Sequence, residues 1–424
     1  MKSMRYLVLL LLLLFRPASV RAADELALLR EQVQQLTGTV QQLTATVQAQ
    51  QERLAQLERP GAPGPQAAVQ PPRSAAGAPS SGRALLTSMN PEIGVVGDIV
   101  GQLSESSADG EGNDTITARE VEVVFGHPID PYSRLDVTLA FPELEAAELE
   151  EASVTHWGLP GEIRTRLGRF KPKVGKAIAI HRDSLDTVDE PLVVQRYFGT
   201  EGMSRTGVDF SGFLPVPWTA VVHELTGGLL EGGVGEGGTL FGETKRRPSF
   251  YAHLKNFWDI AEMTNAELGL TYLLGSKDAD SDYEVDALGI DATMVHYVTP
   301  ANKLKWQNEL YLQQRDETVT VAEDGSTTSV PNTPWGFYSL LDYRLSPRFG
   351  VGGRMDYVEP VDADQAILAR NADTAWSGYL TFYQSEFSRW RLQFTHTDFA
   401  RGGDDNTIFA QATVAIGVHK HQLQ

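Results

Sequence analysis

The sequence predicts an all-β transmembrane antiparallel β-barrel of about 16 strands, preceded by an α-helical coiled coil. Three observations lead there. Apolar and polar residues alternate from about residue 89 onward, residues 24–58 follow a heptad repeat instead, and the connections between the predicted strands alternate between short and long. An even number of strands, with tight turns on one rim and long loops on the other, is typical of a transmembrane barrel. In a soluble β-sandwich, short and long connections have no reason to alternate along the chain.

The first segment, 1–22, has the pattern of a secretory signal peptide. Two basic residues precede an apolar run over 7–15, and the small residues Val20 and Ala22 suit a cleavage site. A membrane anchor at the start of the chain is the alternative, but the run is shorter than the ~20 residues that a spanning helix needs. We therefore expect an exported protein.

Bulk composition narrows the function classes further. The formal charge of −19 disfavours a nucleic-acid partner, and the absence of cysteine excludes disulfides and thiolate metal sites. No apolar run of helical spanning length follows residue 22, and the mean hydropathy is −0.23. A membrane barrel is compatible with such a value because its inward face is polar.

Residues 24–58 predict a parallel coiled coil that holds an oligomer together. Apolar residues repeat at spacings of three and four with Gln50 as the interruption, and such a narrow stripe is buried between like helices. One amphipathic helix docked on its own barrel is the alternative, and the pattern leaves dimer and trimer both open. The predicted seam includes Leu29, Val33, Leu36, Val40, Leu43, Val47, Leu54 and Leu57. A Pro/Gly/Ala-rich linker follows over 59–86.

The predicted barrel covers 87–424. Its expected strands lie near 93–103, 116–127, 133–141, 149–157, 163–170, 204–213, 219–226, 248–258, 264–274, 283–297, 303–315, 335–345, 349–358, 374–385, 389–398 and 406–418. The short connections include "HPIDPY", "VTPAN" and "SPR", and the long ones include "SESSADGEGND" and 171–203.

The alternation predicts which side of each strand faces water. In "KLKWQNELYLQQR", Leu304 and Trp306 share one face and Lys303 and Lys305 the other. Aromatic residues gather near the short turns, where a belt at the lipid interface is expected. The predicted water-facing wall includes Glu120, Glu122, Arg134, Asp136, Lys303, Lys305, Arg354, Arg389 and Arg391.

Four stretches, "NPEIGVVGDIV", "LGRFKPKVGKA", "DEPLVVQRYFG" and "IFAQATVAIGVHKH", resemble bacterial outer-membrane porins. The resemblance is to the phosphate-selective-like and uncharacterised trimeric porins that carry an N-terminal coiled coil. It implies passive diffusion of small hydrophilic solutes, a homotrimer formed by the coiled coil and the barrel walls, and an outer-membrane barrel with the coiled coil in the periplasm. It implies no cofactor and no enzymatic activity. The terminal "KHQLQ" departs from the aromatic residue on which such barrels usually end.

The resemblance also implies that the third long loop, 171–203, folds inward and narrows the channel. Charged side chains in a narrow aqueous gap set ion selectivity. A solvated outer loop is the alternative. The expected selectivity residues are Arg164, Arg166, Lys171, Lys173, Lys176, Arg182, Arg196, Asp183 and Asp186.

Cations outnumber acids on the predicted inward face, which favours anionic solutes. A ladder of lateral salt bridges that stiffens the wall explains the same excess equally well. Two other functions stay open: a structural tether whose coiled coil reaches the cell wall, and a gated metal or nutrient receptor. The histidines show no metal-ligand spacing, and no catalytic constellation is apparent, so neither a metal nor a catalytic site is predicted.

Overall fold

The computed structural model describes residues 91–105, 114–199, 202–218, 220–232, 247–276, 284–320, 327–361, 372–400 and 402–417. The predicted signal peptide, coiled coil and linker, with all eight seam residues, lie outside these ranges. No helix within the described part is long and apolar enough to cross a membrane.

Seventeen β-strands form one antiparallel sheet in these ranges. They are β1 (Glu92–Ser104), β2 (Thr115–Asp130), β3 (Ser133–Pro142), β4 (Glu148–His156), β5 (Arg164–Phe170), β6 (Arg205–Phe213), β7 (Val222–Leu230), β8 (Ser249–Ala261), β9 (Thr264–Ser276), β10 (Glu284–Thr299), β11 (Asn302–Thr320), β12 (Thr327–Asn332), β13 (Trp335–Ser346), β14 (Phe349–Val358), β15 (Asp373–Ser385), β16 (Ser388–Asp398) and β17 (Asp404–Gly417).

The sheet closes on itself because β1 pairs with both β2 and β17. β12 pairs only with the far end of β11, beyond the point where β11 pairs with β13. Sixteen strands therefore close the barrel. The remaining strand, β12, pairs with the far end of β11 and takes no part in the closure. The predicted closed barrel of about 16 strands is confirmed.

Alternation along each strand separates an apolar outer face from a polar inner face. On β11, Trp306 is 47% exposed on the outside, whereas Glu309 and Arg315 are buried on the other face. Successive strand residues point to opposite sides, so the period of two in the sequence becomes the two faces of the wall. Large exposed apolar side chains and buried charges invert the usual order of a soluble protein and suit a wall surrounded by lipid.

Three elements differ from the sequence prediction. β7 runs over Val222–Leu230 instead of 219–226, because Gly228 belongs to the strand and makes room for the Tyr251 ring. β12 lies in a predicted loop. The connection between β3 and β4 is short although it belongs to the long rim. It turns through the left-handed residues Glu143 and Leu144.

The segment between β5 and β6 contains a 3₁₀ turn (Arg182–Ser184) and one short helix, α1 (Leu192–Phe198). α1 begins after Pro191 and ends at Gly199, whose φ of 103° stops the helix. Its apolar side chains Val193, Tyr197 and Phe198 share one buried cluster with the wall residues Tyr311 and Tyr338.

This cluster is an exception to the predicted polar inner face. On several strands, the inward positions near the long-loop rim are apolar and buried. They include Leu230, Tyr251, Leu273, Val285, Tyr311, Tyr338, Leu340, Val358 and Ala375. Dispersion and hydrophobic burial therefore hold α1 against this half of the inner wall, and polar contacts hold the rest of the segment.

Candidate functional site

The predicted selectivity segment, 171–203, is described up to residue 199 and again from 202, and it makes polar contacts with strands all around the barrel. The best-fixed contact is that of Arg354 on β14, whose side chain is fully buried. Its Nη1 donates to Thr187 Oγ1 at 2.7 Å and to the Asp189 carbonyl at 2.8 Å, and its Nη2 contacts Asp189 Oδ2 at 2.8 Å. Its Nε donates to Asp356 Oδ2 at 2.6 Å. Four of the five guanidinium N–H donors are thus used by partners in the segment and the wall.

β16 holds the same stretch through its backbone. Arg391 Nη1 donates to the carbonyls of Leu185 and Thr187, each at 2.9 Å, and Arg389 donates to the Asp183 carbonyl. Gln393 Oε1 accepts the Val188 N–H at 2.7 Å. A loop without regular structure leaves many backbone groups unpaired, and these wall side chains satisfy them. Both arginines are buried, so their charges serve the segment rather than open solvent.

The opposite wall carries cations that remain accessible. Arg164 Nη2 lies 3.0 Å and Lys173 Nζ lies 2.7 Å from the same oxygen of Glu224, and their side chains are 39% and 36% exposed. Lys176 and Lys255 also share one carboxylate, each contacting a different oxygen of Glu267. Two cations to each carboxylate leave a net positive surface here.

Arg166, two residues from Arg164, is instead locked in place. Its Nη2 contacts Asp209 Oδ2 at 2.7 Å and donates to the Lys171 carbonyl at 3.2 Å. Its guanidinium carbon lies 4.0 Å from the centre of the Phe170 ring. The sequence grouped the two arginines, but Arg164 is the more accessible of the two, at 39% exposed against 21% for Arg166.

His181 lies in a corner between the segment and strands β2 and β4. Its Nδ1 is 3.4 Å from Glu122 Oε1 and 3.2 Å from Glu150 Oε2, and its Nε2 is 3.7 Å from Glu151 Oε2. Lys171 Nζ contacts the other Glu150 oxygen at 2.7 Å. Burial and the Lys171 ammonium oppose protonation of His181, but the three glutamates outweigh them and raise its pKa well above its ordinary value.

At two β-bulges, the alternation of the sequence assigns a side chain to the wrong face of the wall. The pairing of β3 with β4 skips Glu150, and the pairing of β1 with β2 skips Arg119. A bulge turns one extra residue to the face of its neighbour. Glu150 and Glu151 therefore both approach His181, and Arg119 reaches inward to donate to Asp98 at 2.8 Å and to the Val188 carbonyl at 2.5 Å.

The remaining predicted residues fall into three groups. Lys305 contacts Asp186, and Arg196 contacts Asp373 at 2.9 Å, so each ties segment to wall. Arg182 lies 3.9 Å from Glu190 within the segment, Asp183 is buried, and Glu120 and Lys303 are half-buried on the inner face. Arg134 pairs with Asp136 at 2.9 Å and with Glu92 at 2.6 Å at the short-turn rim.

Sequence reasoning missed a second contact between the segment and the wall. Glu309 on β11 accepts the Ala177 N–H at 2.7 Å and the Tyr311 hydroxyl at 2.7 Å. Gly175, with φ of +58°, lies so close to these two wall side chains that an added Cβ would overlap both. The alternation predicted that Glu309 faces inward, but no pattern in the sequence indicated its partner 132 residues away.

The closed sixteen-strand barrel with an apolar outer face and a long segment between β5 and β6 is the fold of bacterial outer-membrane porins. The outer membrane channel DcaP of Acinetobacter baumannii is similar at a TM-score of 0.51 and 13% identity, covering 77% of this chain and 96% of that one. An OmpF of Salmonella typhi, solved with daunomycin, gives a TM-score of 0.51 at 6% identity, with 77% and 98% covered. An anion-selective porin from Comamonas acidovorans gives 0.50 at 10% identity, with 77% and 100% covered.

At these identities the likeness concerns the fold. No family model and no curated protein matches the sequence.

Proposed function

We propose that the protein is an outer-membrane porin through which small hydrophilic, anionic solutes diffuse down their gradients. The single observation that carries the proposal is the contact pattern of 171–199, whose residues bond to inward-facing side chains of β2, β7, β9, β11, β14 and β16. A segment tied to strands on opposite walls of a closed barrel crosses its interior. In this proposal it narrows the water-filled lumen and sets its width.

Charge at the accessible wall supports anionic solutes. Arg164, Lys173 and Lys255 are each more than a third exposed, whereas their partners Glu224 and Glu267 are 18% and 13% exposed. A solute that passes this wall meets cationic side chains first. Rings of Arg and Lys favour anions in a narrow pore, and low-dielectric walls strengthen their field. The buried arginines Arg354, Arg389 and Arg391 contribute little to this field because the segment neutralises or covers them.

The wider architecture completes the proposal. The apolar outer face suits a bilayer, which supports a location in the outer membrane. In this proposal the barrel acts as a channel rather than as an enzyme. The predicted coiled coil over 24–58 would stand in the periplasm and join the chains of a homotrimer, with barrel walls in contact.

Planar-bilayer recording of the purified protein tests the proposal. We expect stable stepwise openings and, in a salt gradient, a reversal potential of anionic sign. Silence at high protein concentration would contradict the porin and favour the tether.

Single substitutions locate the selectivity. Arg164→Gln and Lys173→Gln each remove one accessible cation and leave Glu224 with less compensation, so both should move the reversal potential towards cations. Arg134→Gln, at the short-turn rim, is the matched control and should leave it in place. An unchanged potential in the first two variants would refute the assignment of this wall. Arg166 is unsuitable for this test because its loss would leave Asp209 buried beside Tyr251.

A further inference from the structure

The corner around His181 has the geometry of a metal site. Glu122 on β2, Glu150 on β4 and His181 in the segment each offer one ligand atom, and these three atoms lie within 4.8 Å of one another. The two glutamates belong to strands separated by β3, so their backbones are about 10 Å apart. The bulge at Glu150 and the long glutamate side chains bring the carboxylates together beneath the imidazole.

The distances between His181 and the two glutamates are compatible with a shared ion. His181 Nδ1 lies 3.4 Å from Glu122 Oε1 and 3.2 Å from Glu150 Oε2. Charge-assisted hydrogen bonds between nitrogen and carboxylate are shorter, at about 2.7–2.9 Å. Ligands at about 2.0–2.2 Å from a tetrahedral Zn²⁺ lie about 3.3–3.6 Å from one another, which is close to both distances.

The carboxylate oxygens that face this point lack donors. Glu122 is 3% exposed, and among the described residues neither its Oε1 nor Glu150 Oε2 accepts a hydrogen bond. The other Glu150 oxygen is already occupied by Lys171. Buried charged oxygens without donors are costly, and an ion that coordinates both would satisfy them.

Local charge points the same way. Glu122, Glu150 and Glu151 bring three negative charges and Lys171 one positive charge, so two negative charges remain to be balanced by the imidazole or by a bound cation. Among the further charged neighbours, Glu120, Asp183 and Glu190 are acidic and Arg182 is basic, so they add negative charge. A divalent cation would neutralise the corner. Glu151 also lies on the far, Nε2 side of the ring at 3.7 Å, where metal-binding histidines commonly have a carboxylate partner.

We propose that Glu122, Glu150 and His181 bind one divalent transition-metal ion, with Zn²⁺ the best match to one nitrogen and two carboxylate ligands. A nitrogen ligand and a small ligand set disfavour Ca²⁺ and Mg²⁺, which take six or more oxygens. The ion would tie the segment to β2 and β4. This site is independent of whether the barrel conducts solutes.

Titration of the detergent-solubilised full chain with ZnCl₂, followed by calorimetry, tests the site. We expect one ion per chain, and Co²⁺ in its place should give the intense visible absorption of a tetrahedral centre. His181→Asn and Glu122→Gln should each weaken binding more than about 100-fold, because even loss of an outer partner costs 10–100-fold. Absence of Zn²⁺ binding at millimolar concentration would overturn the proposal.

Two controls separate this site from others. His253→Asn changes another buried histidine of the inner wall, 4.0 Å from a single carboxylate, and should keep full binding. His419→Asn with His421→Asn removes the histidines near the C-terminus and should also keep it. Loss of binding in this double variant, or full binding in both His181→Asn and Glu122→Gln, would refute the assignment. Glu122→Gln preserves side-chain shape and decides the matter if His181→Asn does not fold.

Discussion

Arg354→Met removes the central tie between the segment and the wall. The variant loses four hydrogen bonds, and among the described residues the buried Asp356 keeps only the Leu192 N–H at 2.9 Å as a donor. Methionine keeps much of the side-chain volume, so the main change is the loss of charge and donors. The expected result is easier local opening of the segment in an otherwise intact barrel.

The magnitude follows from burial. Removing one partner of a fully buried ion pair costs about 3–5 kcal/mol, because the other charge remains desolvated. At about 1.4 kcal/mol for each factor of ten, the opening equilibrium should rise by roughly two to three and a half orders of magnitude. Asp356→Asn in the same chain should recover part of this loss, since it removes the stranded charge.

Amide hydrogen exchange followed by mass spectrometry measures this opening. Peptides covering 183–195 should exchange faster in Arg354→Met by the predicted factor, while peptides from β8 to β10 keep their protection. Arg134→Met, an arginine with two carboxylate partners at the short-turn rim, is the control and should leave 183–195 unchanged. Exchange in Arg354→Met within threefold of the native protein would refute the view that this pair anchors the segment.

Three further outcomes test other parts of the molecule. Gly175→Ala should destabilise the barrel in urea unfolding by more than Gly161→Ala; both sit at positive φ, which alone costs about 1–2 kcal/mol, but only the first would clash with the wall. Burial raises the pKa of Asp186, but Lys305 and, to a smaller extent, Arg391 and Arg389 lower it below 3.8 overall. Its contribution to stability should therefore persist at pH 4 and be lost as pH falls through that lowered pKa, and Lys305→Met should reduce this acid dependence of segment exchange. Deleting 23–57 should reduce the native oligomer mass without preventing barrel folding. An unaltered mass would refute the predicted role of the coiled coil in holding the oligomer together.

The barrel was predictable because its wall imposes a strict period of two. On β11 and β16, most of the outward side chains are apolar, and this pattern is visible in "KLKWQNELYLQQR", where Asn308 and Gln314 are the exceptions, and in "RWRLQF" without any other information. The alternation of short and long connections then indicated a closed barrel with an even number of strands. Gly228 misled the prediction of β7 because glycine usually marks a turn, whereas here it accommodates a neighbouring ring.

The site was less predictable because it depends on register and bulges. Glu122, Glu150 and His181 are separated along the chain and meet only through the pairing of three strands and the return of the segment. A bulge also breaks the alternation on which facing was judged, which hid the inward position of Arg119. Likewise, charge alone could not separate the buried Arg391 from the accessible Arg164, because burial comes from the segment that covers one of them.

The span of these contacts has a consequence for the order of folding. Segment residues bond to wall partners from 20 to 206 positions away, on strands that must already be paired before the contacts exist. Contacts with such high sequence separation form late, after strand pairing has offset the entropic cost of closing the barrel. Interactions absent from the folding transition state act mainly on the unfolding rate. The segment is therefore expected to dock after the barrel has formed and to slow the unfolding of the barrel. It should have little influence on how fast the barrel forms.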